Sequence, residues 1–306
     1  MVSHVAMSTS WNARRHDDAR GVVEEILGFG IDHLEVGYLL NQKQLRELAE
    51  LLPQGRFKVC SVHNFCPIPS GHSRAWGDDF LLSSLNDEER RIGVEATLQT
   101  LEWAGKLGAK VVVMHLGRVN MDRTTYSALK QRVAEGHGDS QDIALAVAGV
   151  KQERERLAKS HLDAVKRSLN DILASLPPGI TLGIECRSDY YEIPTLSELT
   201  QLLAEYGIQV GYWHDVGHAF LQESMGFYEK DEYIRTLTNR LIGVHIHDSL
   251  RVSDHRAPGC GEIDFESSVK PYLKDGVLKV LELHPRVTRE EAAKGIEFLR
   301  TRNIIL

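Results

Sequence analysis

The chain lacks most of the features that would commit it to a membrane, an export route or a nucleotide. No run of about 18 apolar residues occurs, so no membrane-spanning helix is expected. The opening stretch, MVSHVAMSTSWNARR, has no apolar segment behind a basic start, so no secretory signal is expected. Cysteines number only four (Cys60, Cys66, Cys186, Cys260) and form no C-x-x-C pair, which points to free thiols in a reducing, cytoplasmic setting. Positive charge is in deficit. Against 43 Asp and Glu stand 36 Lys and Arg, a net charge of −7, so nothing in bulk attracts nucleic acid and none is expected as a partner. No G-x-G-x-x-G or Walker A pattern follows any apolar run, which argues against a nucleotide site. Low-complexity tracts and repeats longer than one strand–helix unit are missing too.

What is present is a regular alternation. Apolar, β-rich runs occupy 4–10, 33–38, 58–63, 110–117, 181–186, 210–215, 241–248 and 278–284. Helical periodicity falls near 17–29, 42–51, 87–107, 149–175, 195–206, 229–239, 264–274 and 288–302. The runs are nearly continuous in apolar character, as strands buried on both faces are. Eight strand–helix units in 306 residues predict a single (β/α)8 barrel domain spanning 1–306 rather than an open doubly wound sheet. Two connections are long: 64–86, with Pro67, Pro69, Gly71 and Gly77, and 118–148, with GHGDS at 136–140. Both follow strand C-terminal ends. With the shorter 187–194 loop, they are expected over the active-site face, where they shape the pocket.

Four runs end in a residue able to bind a metal or move a proton: Glu185 in TLGIEC, Asp215 in VGYWHD, His245 in LIGVHIHD and Glu282 in LKVLELH. Side chains alternate between barrel axis and helix layer along each strand. On that parity Thr181, Gly183 and Glu185 share a face, as do Gly243, His245 and His247, and Glu282 and His284. Leu182, Ile184, Ile242, Val244, Ile246, Leu281 and Leu283 are expected against the helices. His63, His115 and Glu35 obey the same inward parity; Glu35 is read as holding a loop. His214 has the opposite parity and is expected in the helix layer. Several carboxylates and imidazoles buried near one axis need pairing or a metal. A donor set of two glutamates, an aspartate and a histidine suits Mn²⁺, Mg²⁺, Co²⁺ or Zn²⁺. Arg187, Arg251 and Arg256 follow the fifth and seventh strands, where they could clamp a phosphate or carboxylate. His284 is placed to support Glu282 from the same face. Cys260, between Gly259 and Gly261, reads as a turn residue.

These residues carry a resemblance. WHDVGHAF (213–220), with Asp215 three residues before His218, resembles the D-x-x-H element of the xylose isomerase-like TIM barrels. HIHDS (245–249) followed by DHRAPGCGEIDF (254–265) looks like the H-x-x-D … D-H-x-x-P-G-x-G-x-I-D-F stretch of the sugar phosphate isomerase/epimerase family. Residues 80–119 read like the same group. The resemblance implies one divalent metal (Mn, Mg, Co or Zn) held by Glu185, Asp215, His245 and Glu282. It also implies Glu185 and Glu282 as the catalytic acid/base pair and His218 as a contact to substrate oxygen. The implied reaction is isomerisation or epimerisation of a small sugar, polyol or sugar phosphate, by proton abstraction and a metal-stabilised enediolate. Loss of a β-hydroxyl from the same intermediate would instead give a dehydratase for an inositol- or shikimate-like substrate. A second branch, the endonuclease IV-type enzymes, cleaves phosphodiesters at abasic DNA with three zinc ions. Residues resembling its ligand set are His63, His115, Glu185, Asp215, His218, His245, Asp254, His255 and Glu282. Asp254 and His255 are adjacent here, whereas that branch separates them by one residue, and His247 stands where it prefers Asn. Both departures favour the sugar branch, with His63, His115, His218, Asp254 and His255 as candidates for further metal or substrate contacts.

Overall fold

A computed structural model describes residues 5–69, 79–136 and 141–305. Eight parallel strands close into a barrel: β1 (Val5–Ser8), β2 (His33–Val36), β3 (Lys58–His63), β4 (Val111–Met114), β5 (Thr181–Glu185), β6 (Val210–Asp215), β7 (Leu241–Ile246) and β10 (Leu278–Leu281), with β1 pairing to both β2 and β10. A short antiparallel hairpin, β8 (Asp248–Leu250) and β9 (Ser253–Arg256), stands on the loop between the last two barrel strands. The helices around the barrel are α1 (Ala19–Leu27), α2 (Gln42–Leu51), α3 (Asp87–Leu107), α4 (Thr124–Ala134), α5 (Gln141–Leu173), α6 (Leu196–Tyr206), α7 (Val216–Ser224), α8 (Glu232–Leu237), α9 (Phe265–Ser268) and α10 (Arg289–Thr301). Their starts are chemically marked: capping boxes pair Asn41 with Gln44, Thr195 with Glu198 and Thr288 with Glu291. Among the described residues, no helix is long and apolar enough to cross a membrane.

The expected barrel is therefore present, with local departures. α5 begins at Gln141 rather than at 149, and α4 occupies part of the 118–148 connection. The helix expected over 229–239 is α8 followed by a 3-10 turn at Thr238–Arg240, and α7, directly after β6, was not expected. Only Phe265–Ser268 and a 3-10 turn form within 264–274. His4, Gly71, Gly77 and residues 137–140 lie outside the described residues.

Parity holds at the strand tops and fails lower down. The barrel interior below the site is filled by Ala6, Cys60, Val111, Val113, Trp213 and Val280, with Ile242 and Leu278 packed against them. Ile242 was expected against the helices. It faces inward because β6 and β7 carry a bulge: Tyr212 pairs with Leu241 and Trp213 with Gly243, leaving Ile242 as the extra residue. Cys60 is the corresponding extra residue between β2 and β3, and past it Glu35 and Ser61 pair. Trp213 plugs the barrel. A Cβ at Gly243 would lie 2.1 Å from its ring, and one at Gly183 3.1 Å, so both glycines make room for the indole.

Candidate active site

The strand tops converge on His245. Its Nε2 lies 3.1 Å from both carboxylate oxygens of Glu35, which also accepts a hydrogen bond from Ser61 Oγ at 2.9 Å. Its Nδ1 faces three carboxylates: Glu185 Oε1 at 2.5 Å, Glu282 Oε2 at 3.0 Å and Asp215 Oδ2 at 3.6 Å. Glu35, Glu185, Asp215 and His245 are wholly buried, and Glu282 is 5% exposed. Glu282 is one residue past β10, yet its N–H still bonds Ile246 O at 3.2 Å, so strand parity carries on and aims it inward. His63 joins this group: one donor atom from each of His63, Glu185, His245 and Glu282 falls within 4.8 Å of the others. The His63 and His245 rings stack with centroids 5.7 Å apart.

The D-x-x-H element owes its spacing to helix capping. Asp215 ends β6 and is the N-cap of α7, its Oδ1 accepting the His218 N–H at 2.7 Å. That bond fixes His218 one turn away on the same side. His218 Nδ1 lies 3.1 Å from Cys186 O, and its Nε2 is 3.8 Å from Asp254 Oδ2. Asp215 is also held by His247, whose Nε2 is 2.9 and 3.0 Å from its two oxygens.

The neighbouring Asp254 and His255 would ordinarily point to opposite sides of β9. His255 adopts a left-handed backbone, φ 53°, and this turns both side chains toward the site. His255 Nε2 is 3.5 Å from Glu282 Oε2, its Nδ1 3.2 Å from Asp254 Oδ1, and its ring stacks on His247 at 4.1 Å. His218, Asp254 and His255 thus form a second donor group beside the first. The motif that follows is scaffolding. Asp248 accepts N–H bonds from Ser249, Gly259, Gly261 and Ile263 at 2.8–3.2 Å, tying the P-G-x-G-x-I loop under the hairpin. A Cβ at Gly261 would lie 2.3 Å from Asp248 Oδ1, which accounts for that glycine.

The remaining expected residues divide. His115 Nε2 is 2.5 Å from Glu185 Oε2, but the Arg187 guanidinium presses against both of them. Arg187 is 4% exposed and is braced by Glu192 at 2.9 Å. Arg251 points away, its Nη1 donating to Ala134 O at 2.7 Å. Arg256 lies on the rim, donating from Nε to Cys260 O at 2.9 Å. His214 packs in the helix layer against Tyr212 as expected. His284 is exposed at the mouth and bonds backbone neighbours rather than Glu282. Cys260 is exposed in the loop between Gly259 and Gly261. Glu35, read as a loop holder, is instead the partner of His245; its inward parity was the signal.

Charge dominates the electrostatics. Burial pushes the Glu185 carboxyl up, yet the His115 and His245 imidazoles outweigh it and hold it well below the usual carboxylate range. The same contest, won by His218 and His247, keeps Asp215 low, and His245 and His255 keep Glu282 low. Burial depresses His245, but Glu282, Glu35 and Glu185 hold it well above an ordinary histidine. Burial and the nearby His115 leave His63 low, its ring neutral. Three carboxylates pointed at one imidazole nitrogen in a dry site call for more positive charge than an imidazolium brings. With Glu35 facing Nε2, a divalent cation in place of the Nδ1 proton would meet a His245 lone pair beside the Glu185 and Glu282 carboxylates, and His63, Glu185, His245 and Glu282 form a donor group that could hold it, with Asp215 Oδ2 3.6 Å from Nδ1.

Residues 23–302 match the xylose isomerase-like TIM barrel family. An uncharacterised protein of Methanocaldococcus jannaschii is 24% identical over 265 residues, covering 85% of this chain and 84% of that one. Among solved structures, a D-tagatose 3-epimerase-like protein superposes with TM-score 0.68 at 20% identity, covering 98% of this chain and 97% of the other. The 3-keto-D-glucoside 4-epimerase YcjR from E. coli superposes with TM-score 0.65 at 15% identity, over 98% and 100%. The chain belongs to the xylose isomerase-like TIM barrel family.

Proposed function

We propose that this protein is a divalent-metal-dependent isomerase or epimerase of a small sugar, polyol or sugar phosphate. The observation that carries the reading is the convergence of Glu185, Asp215 and Glu282 on His245 Nδ1 in a buried barrel mouth. These four residues would hold the ion. Once bound, a divalent cation supplies positive charge to a substrate carbonyl or hydroxyl oxygen. Glu185 and Glu282 do the proton work. One takes the proton from the carbon beside the carbonyl, and the C–H electron pair moves toward the carbonyl oxygen. For epimerisation the other, after taking up a proton from water, delivers it to the opposite face; for isomerisation a proton is delivered to the adjacent carbon while the hydroxyl proton there passes to the former carbonyl oxygen. Arg187 and His115 orient Glu185 through Oε2, leaving Oε1 turned toward the centre. His218 is placed to bond a substrate hydroxyl. Sugar epimerases among the structural neighbours support the same reading.

A metal-loaded preparation in D₂O tests it. Wild type should wash deuterium into the carbon beside the carbonyl of a ketose substrate. Glu282→Gln, unchanged in fold by circular dichroism, should lose roughly a hundredfold or more in exchange and turnover. Near wild-type turnover by that variant would sink the acid/base assignment. A second reading, zinc phosphodiesterase action at abasic DNA, draws on the separate His218, Asp254 and His255 group. Against it stands Arg187, an organic cation already in contact with both His115 and Glu185. Close to three zinc ions per chain, with cleavage of abasic duplex, would favour that reading over the first.

A further inference from the structure

Beside the convergent carboxylates lies a second cavity of about 360 Å³. Its wall includes Asp254 and His255 from the site itself, then Arg256, His284 and Arg286, and Glu291 from α10. The acids in this wall have partners. Asp254 faces His255 at 3.2 Å, and the Glu291 carboxylate accepts from the Thr288 N–H and hydroxyl at 2.8 Å each. The guanidinia are less committed. Arg286 makes no side-chain hydrogen bond among the described residues, and Arg256 hydrogen-bonds only through Nε, to Cys260 O, while its charge also acts on Glu291. That single bond anchors Arg256 to the loop organised by Asp248, which sets its two remaining nitrogens in place. His284 adds a third donor. Its Nδ1 accepts from the Arg286 N–H at 3.0 Å, so in the neutral ring the proton sits on Nε2.

We propose that this cavity is an anion subsite. It would take a phosphate ester or carboxylate at the end of the substrate remote from the reacting carbons, gripped by Arg256, Arg286 and His284. The inference rests on the sugar reading above and narrows it to an acidic sugar. Guanidinium suits either anion because its fork matches two oxygens at once. Arg251, which follows the same strand in sequence, is not part of the grip, since it is spent on the end of α4.

The test is calorimetric binding to metal-loaded protein. The probes are D-fructose and D-ribulose, their terminal phosphate esters, and the uronate matching fructose. At least one anionic sugar should bind roughly tenfold to a hundredfold tighter than its neutral parent. A preference for ester or for carboxylate identifies which anion is meant. In Arg256→Gln/Arg286→Gln that gap should close while affinity for the neutral sugar stays as in wild type; Arg286 is exposed and Arg256 half-buried, and an unchanged melting temperature confirms the fold. No anionic advantage in wild type, or an advantage that survives the double substitution, overturns the subsite. The two readings fail separately. Deuterium exchange into neutral ketoses without anion preference leaves the sugar reaction standing and removes the subsite. Arginine-dependent anion binding without any exchange does the reverse.

Discussion

Glu35 offers the sharpest test of how this site is built, because it touches no proposed ligand except His245. Its carboxylate sits 3.1 Å from His245 Nε2 and is fixed on its other side by Ser61. In the neutral, ion-bound ring, Nε2–H donating to Glu35 leaves the lone pair on Nδ1, so Glu35 both chooses the tautomer and raises the basicity of the ligand nitrogen. Glu35→Gln keeps the shape. Its amide oxygen can face His245 while its NH₂ faces Ser61 Oγ, so the tautomer survives and only the charge on the acceptor is lost. A charge-assisted bond exceeds a neutral one by about 1 kcal/mol, so the ion should bind about fivefold more weakly. Glu35→Leu removes the acceptor altogether and leaves a buried N–H unmet. That costs about 2–3 kcal/mol, or about 30- to 150-fold in affinity. Competition with a chromophoric chelator measures both variants, and apo melting temperatures control for folding. A Glu35→Leu protein binding its ion as tightly as wild type would refute the assignment of His245 Nδ1 as a ligand atom.

Other consequences concern stability. Gly243→Ala places a methyl 2.1 Å from the buried Trp213 ring and should cost about 1–3 kcal/mol, read by urea denaturation; an unchanged midpoint would mean the indole is not wedged as described. Arg154, 3% exposed, grips both Glu198 oxygens at 2.7 and 2.8 Å. Arg154→Met should lose about 3–5 kcal/mol by stranding that carboxylate, and Arg154→Met/Glu198→Gln should regain much of it; a double variant no more stable than the single one counts against the pairing. Glu223 is pushed up by burial from 4.5 to about 7. A folded value above the unfolded one means that Glu223's own contribution is fully present below pH about 4.5 and is lost as pH rises through about 7, by about 2 kcal/mol after allowing for its partial exposure. Glu223→Gln should abolish that slope and be the more stable protein at pH 8; equal melting temperatures at pH 8 would show that the carboxylate is not destabilised.

The upper layer of the barrel was legible because it obeys one simple rule. A polar residue closing a buried apolar run has nowhere to go but the mouth, and Glu185, Asp215, His245 and Glu282 were found on that basis alone. The lower layer was not legible, because parity counts residues and two bulges insert one each. Ile242 therefore faces the axis against expectation, and Cys60 lies beside it in the plug. Helix positions slipped wherever a helix is very short. Four residues of α9 and six of α8 leave too few turns for periodicity to register, while α7 is hidden behind the metal-binding pattern of its own cap.

Function-like motifs carry two kinds of information that the sequence does not separate. In HIHDS…DHRAPGCGEIDF, His245, Asp254 and His255 supply atoms to the site, whereas Asp248, Gly259 and Gly261 only hold the loop that presents them. In sequence the adjacency of Asp254 and His255 departs from the spacing of the endonuclease IV-type branch, and in an extended strand neighbours point to opposite sides. A single left-handed residue cancels it, and no periodicity argument could foresee a positive φ at histidine. Arg187 raises the converse point. Two residues from Glu185, it shares that residue's parity, so its burial beside Glu185 was predictable. Its contact with His115 was not, because nothing in the spacing links those two residues.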